Sequence, residues 1–330
     1  MNREMKSVKY NFVLAFIAMV IGMISFSISA NAQGLTDQDR KEIEGEVIRV
    51  VKTRDVNFEQ TVKSAHNGVA SAQREVGKAY YSMSIDSKTD DIGEYNTDGT
   101  YYNMKPIGES YERVLRELAF EWFEKAAKGG DAEGNFYLGA FYHKGIYPTK
   151  NIVKAVQYYN IARTKGSASA ANNLGVLYQN GIGVNTSLQK AFELYTEAAN
   201  KGNSFAQGHL GEMYYKGIHV QKNPAKAFEY LKKSADAYIP CPFGCRMLAS
   251  CYRYGIGTTK NERNEKMYMA GAFSLRDEKA LNDQMKMDEN GALDEEEDGV
   301  DDWIEFQFDR DESIRRSADL VMRAMLSCLE

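Results

Sequence analysis

Apolar residues along this chain fall into short runs with helical spacing, separated by polar turns and glycines. The stretch Lys190–Gly217 shows the pattern most clearly. Ala191, Leu194, Tyr195 and Ala198 lie at positions i, i+3, i+4 and i+7, which places them along one face of a helix. A second run of this kind follows in the same stretch. The pattern therefore predicts two consecutive amphipathic helices.

This two-helix pattern returns four times at a constant step of 36 residues, apart from two extra residues near position 240. The columns of equivalent residues include Ala119, Ala155, Ala191 and Ala227 in the first helix, and Leu138, Leu174, Leu210 and Leu248 and then Tyr142, Tyr178, Tyr214 and Tyr252 in the second. A fixed period of this size predicts a solenoid of stacked helix pairs.

Polar caps and glycines mark the ends of the predicted helices. Residues that accept hydrogen bonds from free N–H groups precede the first helix at Asn151, Ser187, Asn223 and Asn261, and the second at Asp131, Ser167 and Asn203. Glycines that favour a left-handed exit follow the second helix at Gly145, Gly181, Gly217 and Gly255. Caps, period and apolar faces thus all predict the same helix boundaries.

The repeated pattern, A-x-x-[WYL]-[FYL]-x-x-A followed by G-x-x-x-[AG]-x-x-x-L-G-x-x-Y-x-x-G-I, resembles the Sel-1-like repeat, a relative of the tetratricopeptide repeat. The resemblance covers about Ala119–Ala272, and a degenerate unit lies upstream. It implies an all-α fold, a right-handed α/α superhelical solenoid of about four full repeats with degenerate end units. It also implies a scaffold or adaptor for other proteins, without enzymatic chemistry.

The first 32 residues have the character of a signal peptide. Arg3, Lys6 and Lys9 precede the apolar run Phe12–Ile24, and small residues then lead to Ala32. The apolar run is shorter than the ~20 residues that a membrane span needs. We therefore expect cleavage after Ala32, export to the periplasm or the extracellular space, and no membrane span in the mature chain.

Charge limits the range of partners. The full chain carries a formal net charge of −5, and removal of residues 1–32, with three bases and one acid, changes this to −7. A mildly acidic exported chain is a poor candidate for binding nucleic acid. We expect the partner to be another protein or peptide of the cell envelope.

Composition divides the chain further. We predict a signal peptide at 1–32, an N-terminal helix and degenerate first repeat at 33–81, a polar insertion at 82–108, the repeat array at 109–274, an acidic linker at 275–302 and a C-terminal capping helix region at 303–330. Gly68 and Gly77 mark the degenerate repeat, because they match glycine positions of the later units. The helix that begins near Ser110 is expected to be long, since position 115 lacks a capping residue.

Two surfaces are candidates for partner contact. The insertion contains Tyr95, Tyr101 and Tyr102 around a predicted hairpin turn at Asp98-Gly99. The alternative for this insertion is a loop that folds over the first groove of the solenoid. The second surface is a column of first-helix residues opposite the apolar face: Glu121, Gln157, Glu193 and Glu229, beside Lys125, Ile161, Glu197 and Lys233. The alternative here is an ordinary solvated helix face.

The acidic linker offers a possible metal site. Residues 294–305 resemble an EF-hand calcium loop, with Gly299 at position 6 and oxygen ligands at positions 1, 3, 5, 9 and 12, which are Asp294, Glu296, Asp298, Asp302 and Glu305. Asp301 departs from the pattern at position 8, where an aliphatic residue is usual. A calcium-responsive regulator is therefore an alternative function, and a solvated acidic linker is the alternative reading of the segment. No other cofactor is expected.

Signals for catalysis are weak. Ser187 and Lys190 match S-x-x-K, a motif of β-lactam-interacting enzymes, but the Ser-Asp-Asn and Lys-Thr-Gly partners are missing. Ser187 also occupies the capping column, so the repeat explains it without catalysis. An envelope hydrolase or a β-lactam-interacting enzyme is the least favoured alternative.

Four cysteines in a chain predicted to be exported are candidates for disulfides. Pro242 predicts that a helix begins directly after Cys241, so that Cys245 and Cys251 lie within it. Cys251 then lies about 15 Å from Cys241 and about 9 Å from Cys245, beyond the ~7 Å limit between bridged α-carbons. This leaves Cys241–Cys245 with Cys251–Cys328. The alternative is that Cys251 and Cys328 are buried thiols.

Overall fold

The computed structural model describes residues 35–52, 55–86, 93–95, 101–103 and 109–274. These residues form twelve α-helices and one two-stranded hairpin, which confirms the predicted all-α helical repeat. The chain divides into two compact units, residues 1–150 and 151–330. The first contains α1 (Asp37–Lys52), α2 (Phe58–His66), α3 (Ala70–Asp86), β1 (Gly93–Tyr95), β2 (Tyr101–Asn103), α4 (Glu109–Lys128) and α5 (Ala132–Lys144). The second contains α6 (Ile152–Thr164), α7 (Ala168–Asn180), α8 (Leu188–Asn200), α9 (Ser204–Lys216), α10 (Pro224–Ala235), α11 (Pro242–Tyr254) and α12 (Glu262–Ser274).

In the first unit, α1 begins with a reciprocal cap. The N–H of Asp39 donates to Thr36 Oγ1 (3.1 Å), and the N–H of Thr36 donates to Asp39 Oδ2 (2.8 Å). Ile43 and Val47, two members of the apolar stripe that the sequence shows in this helix, are fully buried. A charged helix thus packs by a narrow apolar face, as its sequence indicates.

α2 and α3 form a helix pair within residues 33–81, where the sequence predicts a degenerate repeat. Gly68 has φ +86°, the left-handed conformation of the turn glycines Gly130, Gly166 and Gly202 in later repeats. α4 has 20 residues, against 13 in α6 and α8, so the prediction of a long helix is also confirmed. α3 continues to Asp86, and the first residues of the predicted insertion are therefore helical.

The insertion contains the predicted hairpin, with a different register. β1 pairs antiparallel with β2, Tyr95 opposite Tyr101. A two-residue turn at Asp98-Gly99 would pair residue 95 with residue 102 instead. An odd number of residues, 96–100, therefore separates the strands.

Caps hold the helix ends in both units as predicted. Backbone N–H groups donate to the side chains of Asp131, Asn151, Ser167, Ser187, Asn203, Asn223 and Asn261. Each second helix from α5 to α11 ends at a glycine in the left-handed conformation, with φ of 70°, 68°, 76° and 74° at Gly145, Gly181, Gly217 and Gly255. Because the last N–H of each cap bonds back to the helix, the chain turns sharply into the next repeat.

Neighbouring repeats meet where a glycine faces a large side chain. A Cβ atom on Gly175 of α7 would lie 2.6 Å from Cε1 of Tyr195 in α8, and one on Gly211 of α9 would lie 2.6 Å from Cγ of Leu231 in α10. In the first unit, Gly77 of α3 is related in the same way to Phe123 of α4, at 2.7 Å. The backbone of the second helix of one repeat therefore lies in direct contact with a large side chain from the first helix of the next.

The same ring also contacts its own repeat. Tyr195 stacks on His209 of α9, with centroids 4.6 Å apart and planes 20° apart. At the equivalent place one repeat earlier, Asn173 donates a hydrogen bond to the hydroxyl of Tyr159 (3.3 Å). Tyr195 and Tyr159 are fully buried, so each ring is fixed between two helices.

The period breaks between α10 and α11, where the two extra residues enter. Ser234 stands in a column otherwise filled by alanine, and its buried hydroxyl donates to the carbonyl of Ser204 (2.6 Å). The irregular segment that follows ends at Cys241, and Pro242 occupies the first turn of α11, as predicted. The irregular segment before Cys241 and the hydrogen bond of the Ser234 hydroxyl together replace the tight turn of the earlier repeats.

We predict that Gly175→Ala destabilises the protein by about 1–3 kcal/mol, because the new methyl group overlaps a ring that is fully buried. The matched control is Gly45→Ala in α1, where nothing lies within 4 Å. That change should stabilise by about 0.5–1 kcal/mol through helix propensity. Urea denaturation of both variants measures the change in the free energy of unfolding. A change of the same sign in the two variants would contradict the close contact between Gly175 and Tyr195.

Burial of His209 predicts a dependence of stability on pH. Burial lowers the pKa of this imidazole to about 4, whereas an unfolded histidine titrates near 6.5. The unfolded state therefore binds the proton first, and stability should fall as pH falls from about 6.5 to 4, by up to about 3 kcal/mol. A His209→Phe variant should lose less stability over this range. Equal slopes for both proteins in denaturant titrations at each pH would exclude the effect.

Candidate functional site

The predicted contact column lies on the first helices, but its members differ in surroundings. In the first unit, the guanidinium of Arg40 donates twice to the carboxylate of Glu121 (2.7 and 3.1 Å), so α1 covers this position. In the second unit, Gln157, Glu193 and Glu229 are exposed. Exposure alone does not identify a partner surface, and the role of this column stays a prediction.

The adjacent column contains a contact between repeats. Glu197 of α8 pairs with Arg163 of α6 (2.7 Å) and with Lys201 of its own helix (3.1 Å). Partial burial raises the pKa of Glu197, but the hydrogen bonds from these two cations outweigh burial and bring the pKa below its usual value. This carboxylate therefore joins two successive first helices.

Of the tyrosines predicted as a contact patch, Tyr95 is paired with Tyr101 in the backbone register of the hairpin, and Tyr102 with Glu94. The calcium loop predicted at 294–305 lies outside the described residues. Within the described ranges between 35 and 274, no three His, Cys, Asp or Glu side chains are grouped so that they could hold a metal ion.

A cleft of about 670 Å³ opens beside α10 in the second unit, where the repeat period breaks. Its lining comes from the α8–α9 turn, from α9, from α10 and from the segment after α10: Gly202, Gln207, Phe228, Glu229, Lys232, Lys233, Asp236, Ala237 and Tyr238. Tyr238 at its rim is 85% exposed. One predicted contact residue, Glu229, belongs to this cleft.

The charged groups of the cleft neutralise one another. Lys233 pairs with Glu229 (2.7 Å), and its hydrogen bond lowers the pKa of that carboxyl. Lys232 pairs with Asp236 (2.6 Å), which raises the pKa of the lysine. Asp236 also accepts a hydrogen bond from the hydroxyl of Tyr268 (2.7 Å). The walls therefore carry no excess charge.

One polar atom of the lining has no donor among the described residues. Nε2 of Gln207 donates to the carbonyl of Ala199 (3.4 Å), while its Oε1 is buried without a hydrogen-bond partner. An unsatisfied buried acceptor costs free energy unless a donor reaches it. Phe228 supplies the apolar part of the wall. The cleft thus combines an aromatic rim and an apolar wall with one buried, unsatisfied acceptor.

Sequence reasoning did not find Tyr238, because the columns of the repeat contain no equivalent position. The available signal was the irregularity itself, the two extra residues near 240. Extra residues in a strict repeat must leave the regular turn, and here they place an aromatic side chain in solvent.

Ser187 is a helix cap in the structure. Its Oγ accepts from the backbone N–H of Lys190 (3.3 Å), and the ammonium of Lys190 lies 4.9 Å from the ring centroid of Tyr178. The hydroxyl of Ser187 caps a helix, as the other residues of its repeat column do, and the amine of Lys190 lies over a ring. This supports the interpretation that the repeat, and not catalysis, explains this S-x-x-K motif.

The histidines lie in unrelated surroundings. His66 meets the carboxylate of Glu44 (2.9 Å) and the edge of Trp122 (5.3 Å between centroids). His143 and His209 are buried, and His219 is exposed in a turn with φ +62°.

Cys241, Cys245 and Cys251 are buried thiols, and the structure forms no disulfide between Cys241 and Cys245. The backbone instead forms the first turn of α11, with the N–H of Cys245 donating to the carbonyl of Cys241 (2.9 Å). Burial raises the pKa of Cys251 to about 12. Cys328 lies outside the described residues, so its pairing with Cys251 stays a prediction.

A family model described as the Sel1 repeat matches residues 108–131, 132–167, 168–203, 204–238 and 242–264. The chain is a Sel1 repeat protein. From residue 132 onward each matched range begins at a second helix of the pattern described above, namely α5, α7, α9 and α11. In the second unit, these ranges join each second helix to the first helix against which its glycine packs.

One solved structure supports the fold, and a second shares comparable sequence identity with this chain. The Sel1 repeat protein from Oxalobacter formigenes shares 23% sequence identity over 78% of this chain and 94% of its own, with a TM-score of 0.53. The c5321 protein, a protective antigen present in uropathogenic Escherichia coli strains and displaying an SLR fold, shares 22% identity over 80% of this chain and 58% of its own, with a TM-score of 0.45. No curated protein sequence matches the chain. Among the helices that the structure describes, none is long and apolar enough to cross a membrane.

We predict that Ser187→Ala lowers stability by about 1 kcal/mol, because one N–H at the start of α8 loses its acceptor. Ser187→Asn should restore the stability, since asparagine caps the equivalent helices at Asn151 and Asn223. Thermal denaturation of both variants provides the measurement. A loss of stability in the asparagine variant as large as in the alanine variant would exclude the capping role.

Proposed function

We propose that this Sel1 repeat protein is a non-enzymatic scaffold of the cell envelope that binds another protein through the cleft beside α10. Sel1 repeat arrays are typically protein-interaction scaffolds. The observation that carries the proposal is the exposed Tyr238 at the rim of the cleft where the repeat period breaks. Tyrosine is enriched at interfaces, because its ring adds apolar contact area and its hydroxyl adds a hydrogen bond.

The chemistry of the cleft suits a segment of polypeptide. The charged groups are already paired, so a highly charged ligand gains little there. An apolar side chain can pack against Phe228 and Tyr238, which line the cleft. The hydroxyl of Tyr238, a residue that is 85% exposed, can exchange a hydrogen bond with a backbone amide. A polypeptide provides both groups at adjacent positions.

Location in the envelope rests on the sequence. Residues 1–32 combine a basic start, an apolar run and a small-residue end, which supports cleavage after Ala32 and export. N-terminal sequencing of the mature protein should begin at Gln33. A mature protein that still begins at Met1 would contradict this part of the proposal while leaving the binding cleft untouched.

Photo-crosslinking tests the cleft directly. A photoreactive phenylalanine derivative replaces Tyr238 in one variant and Val153, which is 62% exposed in the same unit, in the control. We expect a discrete adduct with one envelope protein from position 238 and none from position 153. Tyr238→Ala should weaken binding of the purified adduct partner by about tenfold, as for an aromatic residue that carries more than 1 kcal/mol of an interface.

The same experiment separates the alternatives. Equal adducts from both positions, or unchanged affinity after Tyr238→Ala, would place the interface elsewhere. A chelator should leave binding unchanged. Loss of binding with the chelator and recovery with calcium would favour the calcium-responsive regulator and direct attention to residues 294–305.

A further inference from the structure

One edge of the second unit is formed by the connections that join successive repeats, residues 181–187, 217–223 and 255–261. Each connection lies against an earlier first helix. Gly183 is so close to Ile152 at the start of α6, and Gly257 to Pro224 at the start of α10, that a Cβ atom at either glycine would clash. Connections and helix starts therefore share the same edge.

The connections on this edge carry lysines but no acidic residues. Residues 181–190, 217–226 and 255–261 contain no aspartate or glutamate. Their lysines are all exposed and together define what we call the basic edge: Lys190, Lys222, Lys226 and Lys260.

Three of these lysines lie over aromatic rings and not beside carboxylates. The ammonium groups of Lys190, Lys226 and Lys222 lie 4.9, 5.1 and 5.5 Å from the ring centroids of Tyr178, Tyr214 and Tyr215. Within the part of the chain that the structure describes, none of the basic-edge lysines has a carboxylate within ion-pair distance. A ring face holds an ammonium group but leaves its charge available.

Five other lysines of the same unit are paired. Lys201, Lys216, Lys232, Lys233 and Lys266 each meet an acidic side chain within 3.1 Å. The basic edge is thus a local departure from the charge pattern of the unit, and it follows the repeat in steps of 36 residues from Lys190 to Lys226.

The acidic residues that could complement the basic edge lie later in the sequence. Residues 285–302, which we call the acidic stretch, contain nine acids and one base, a net charge of −8. The chain after the predicted cleavage at Ala32 has −7, so the rest of the mature chain carries a net charge of +1. The acidic stretch lies outside the described residues. Charge in this protein is therefore divided between a basic repeat edge and one acidic stretch.

We propose that the acidic stretch docks on the basic edge of the same molecule. Charge complementarity and tethering support this occupant over an acidic segment of another protein. A tethered segment acts at an effective concentration in the millimolar range. The proposal goes beyond the protein-binding cleft, which lies at the other end of α10, near the α8–α9 turn.

The connecting residues are long enough. α12 begins at Glu262, next to Lys260, and ends at Ser274, which corresponds to about 20 Å of helix. The ten residues 275–284 span up to about 33 Å when extended. The acidic stretch can therefore return along α12 and reach the basic edge.

Zero-length crosslinking of the full chain tests the docking. A carbodiimide joins a carboxylate to an amine with loss of one water, without a spacer, so only touching groups react. Peptide mass spectrometry should find crosslinks from the acidic stretch to Lys190, Lys222 or Lys226. Lys165 is the control, because it is exposed at the turn between α6 and α7, away from the basic edge. In about 1 M salt, where the Debye length falls to about 3 Å, the crosslinks should disappear.

Two variants provide an independent readout through acetylation of lysines by a water-soluble ester. Replacement of the nine acids by their amides should raise acetylation rates at Lys190, Lys222 and Lys226 on the order of threefold, because nearby carboxylates hold each amine protonated and shielded. The rate at Lys165 should not change. The charge-reversed variant Lys190→Glu/Lys222→Glu/Lys226→Glu should lose the crosslinks, whereas Lys165→Glu should keep them.

Several results would overturn the proposal. Crosslinks to Lys165 as frequent as those to the basic edge, or unchanged acetylation in the amide variant, would show that the acidic stretch does not dock there. Crosslinks formed mainly between isotope-labelled and unlabelled copies would assign the acidic stretch to a second molecule. None of these outcomes changes the photo-crosslinking result at position 238, so the two proposals fail separately.

Discussion

Close approach between a glycine and a large side chain determines how these repeats assemble. Gly175 faces Tyr195 and Gly211 faces Leu231, each across the boundary between two repeats, at distances that leave no room for a methyl group. Gly77 and Phe123 show the same relation in the first unit. A helix can come this near its neighbour only where it lacks a side chain. The boundary, and not the helix pair of one repeat, is therefore the place where packing is most strictly specified.

The other side of each ring is more tolerant. Tyr159 receives a hydrogen bond from Asn173, whereas Tyr195 stacks on His209. In the first unit, Phe123 stacks on Tyr137 with centroids 4.6 Å apart. Amide, imidazole and phenol thus occupy one column, since each offers a flat surface or a donor to the ring. Variation is accepted within a repeat where the backbone does not need to come close.

Much of this structure follows from the sequence, because the features concerned are local or periodic. Caps such as Asn223 act on N–H groups three residues away, and the left-handed glycines close the helix that precedes them. The sequence also predicts a degenerate repeat around Gly68. This glycine adopts the left-handed conformation of the later turn glycines, although most of its neighbours differ from the pattern.

Contacts that join distant and unrelated positions were not predictable. The pair between Arg40 and Glu121 connects residues 81 apart, and no periodicity relates them. For this reason the repeat placed Glu121 in a contact column that α1 covers in the structure. Tyr238 was missed for the opposite reason, because it lies where the period fails. The surroundings of a side chain cannot be read from the repeat pattern when they depend on one distant residue or on a break in the period. Only the three-dimensional structure shows them.

The insertion after α3 has a consequence for how this array can change in length. α3 and α4 pack against each other although 22 residues, 87–108, separate them, while only seven residues, 181–187, connect α7 to α8. In the chain-entropy picture, closure of the longer connection costs only about 1 kcal/mol more, because the cost grows with the logarithm of length. A junction held by a glycine–ring contact is therefore a site where evolution can add a hairpin, or a whole domain, without loss of the repeat on either side.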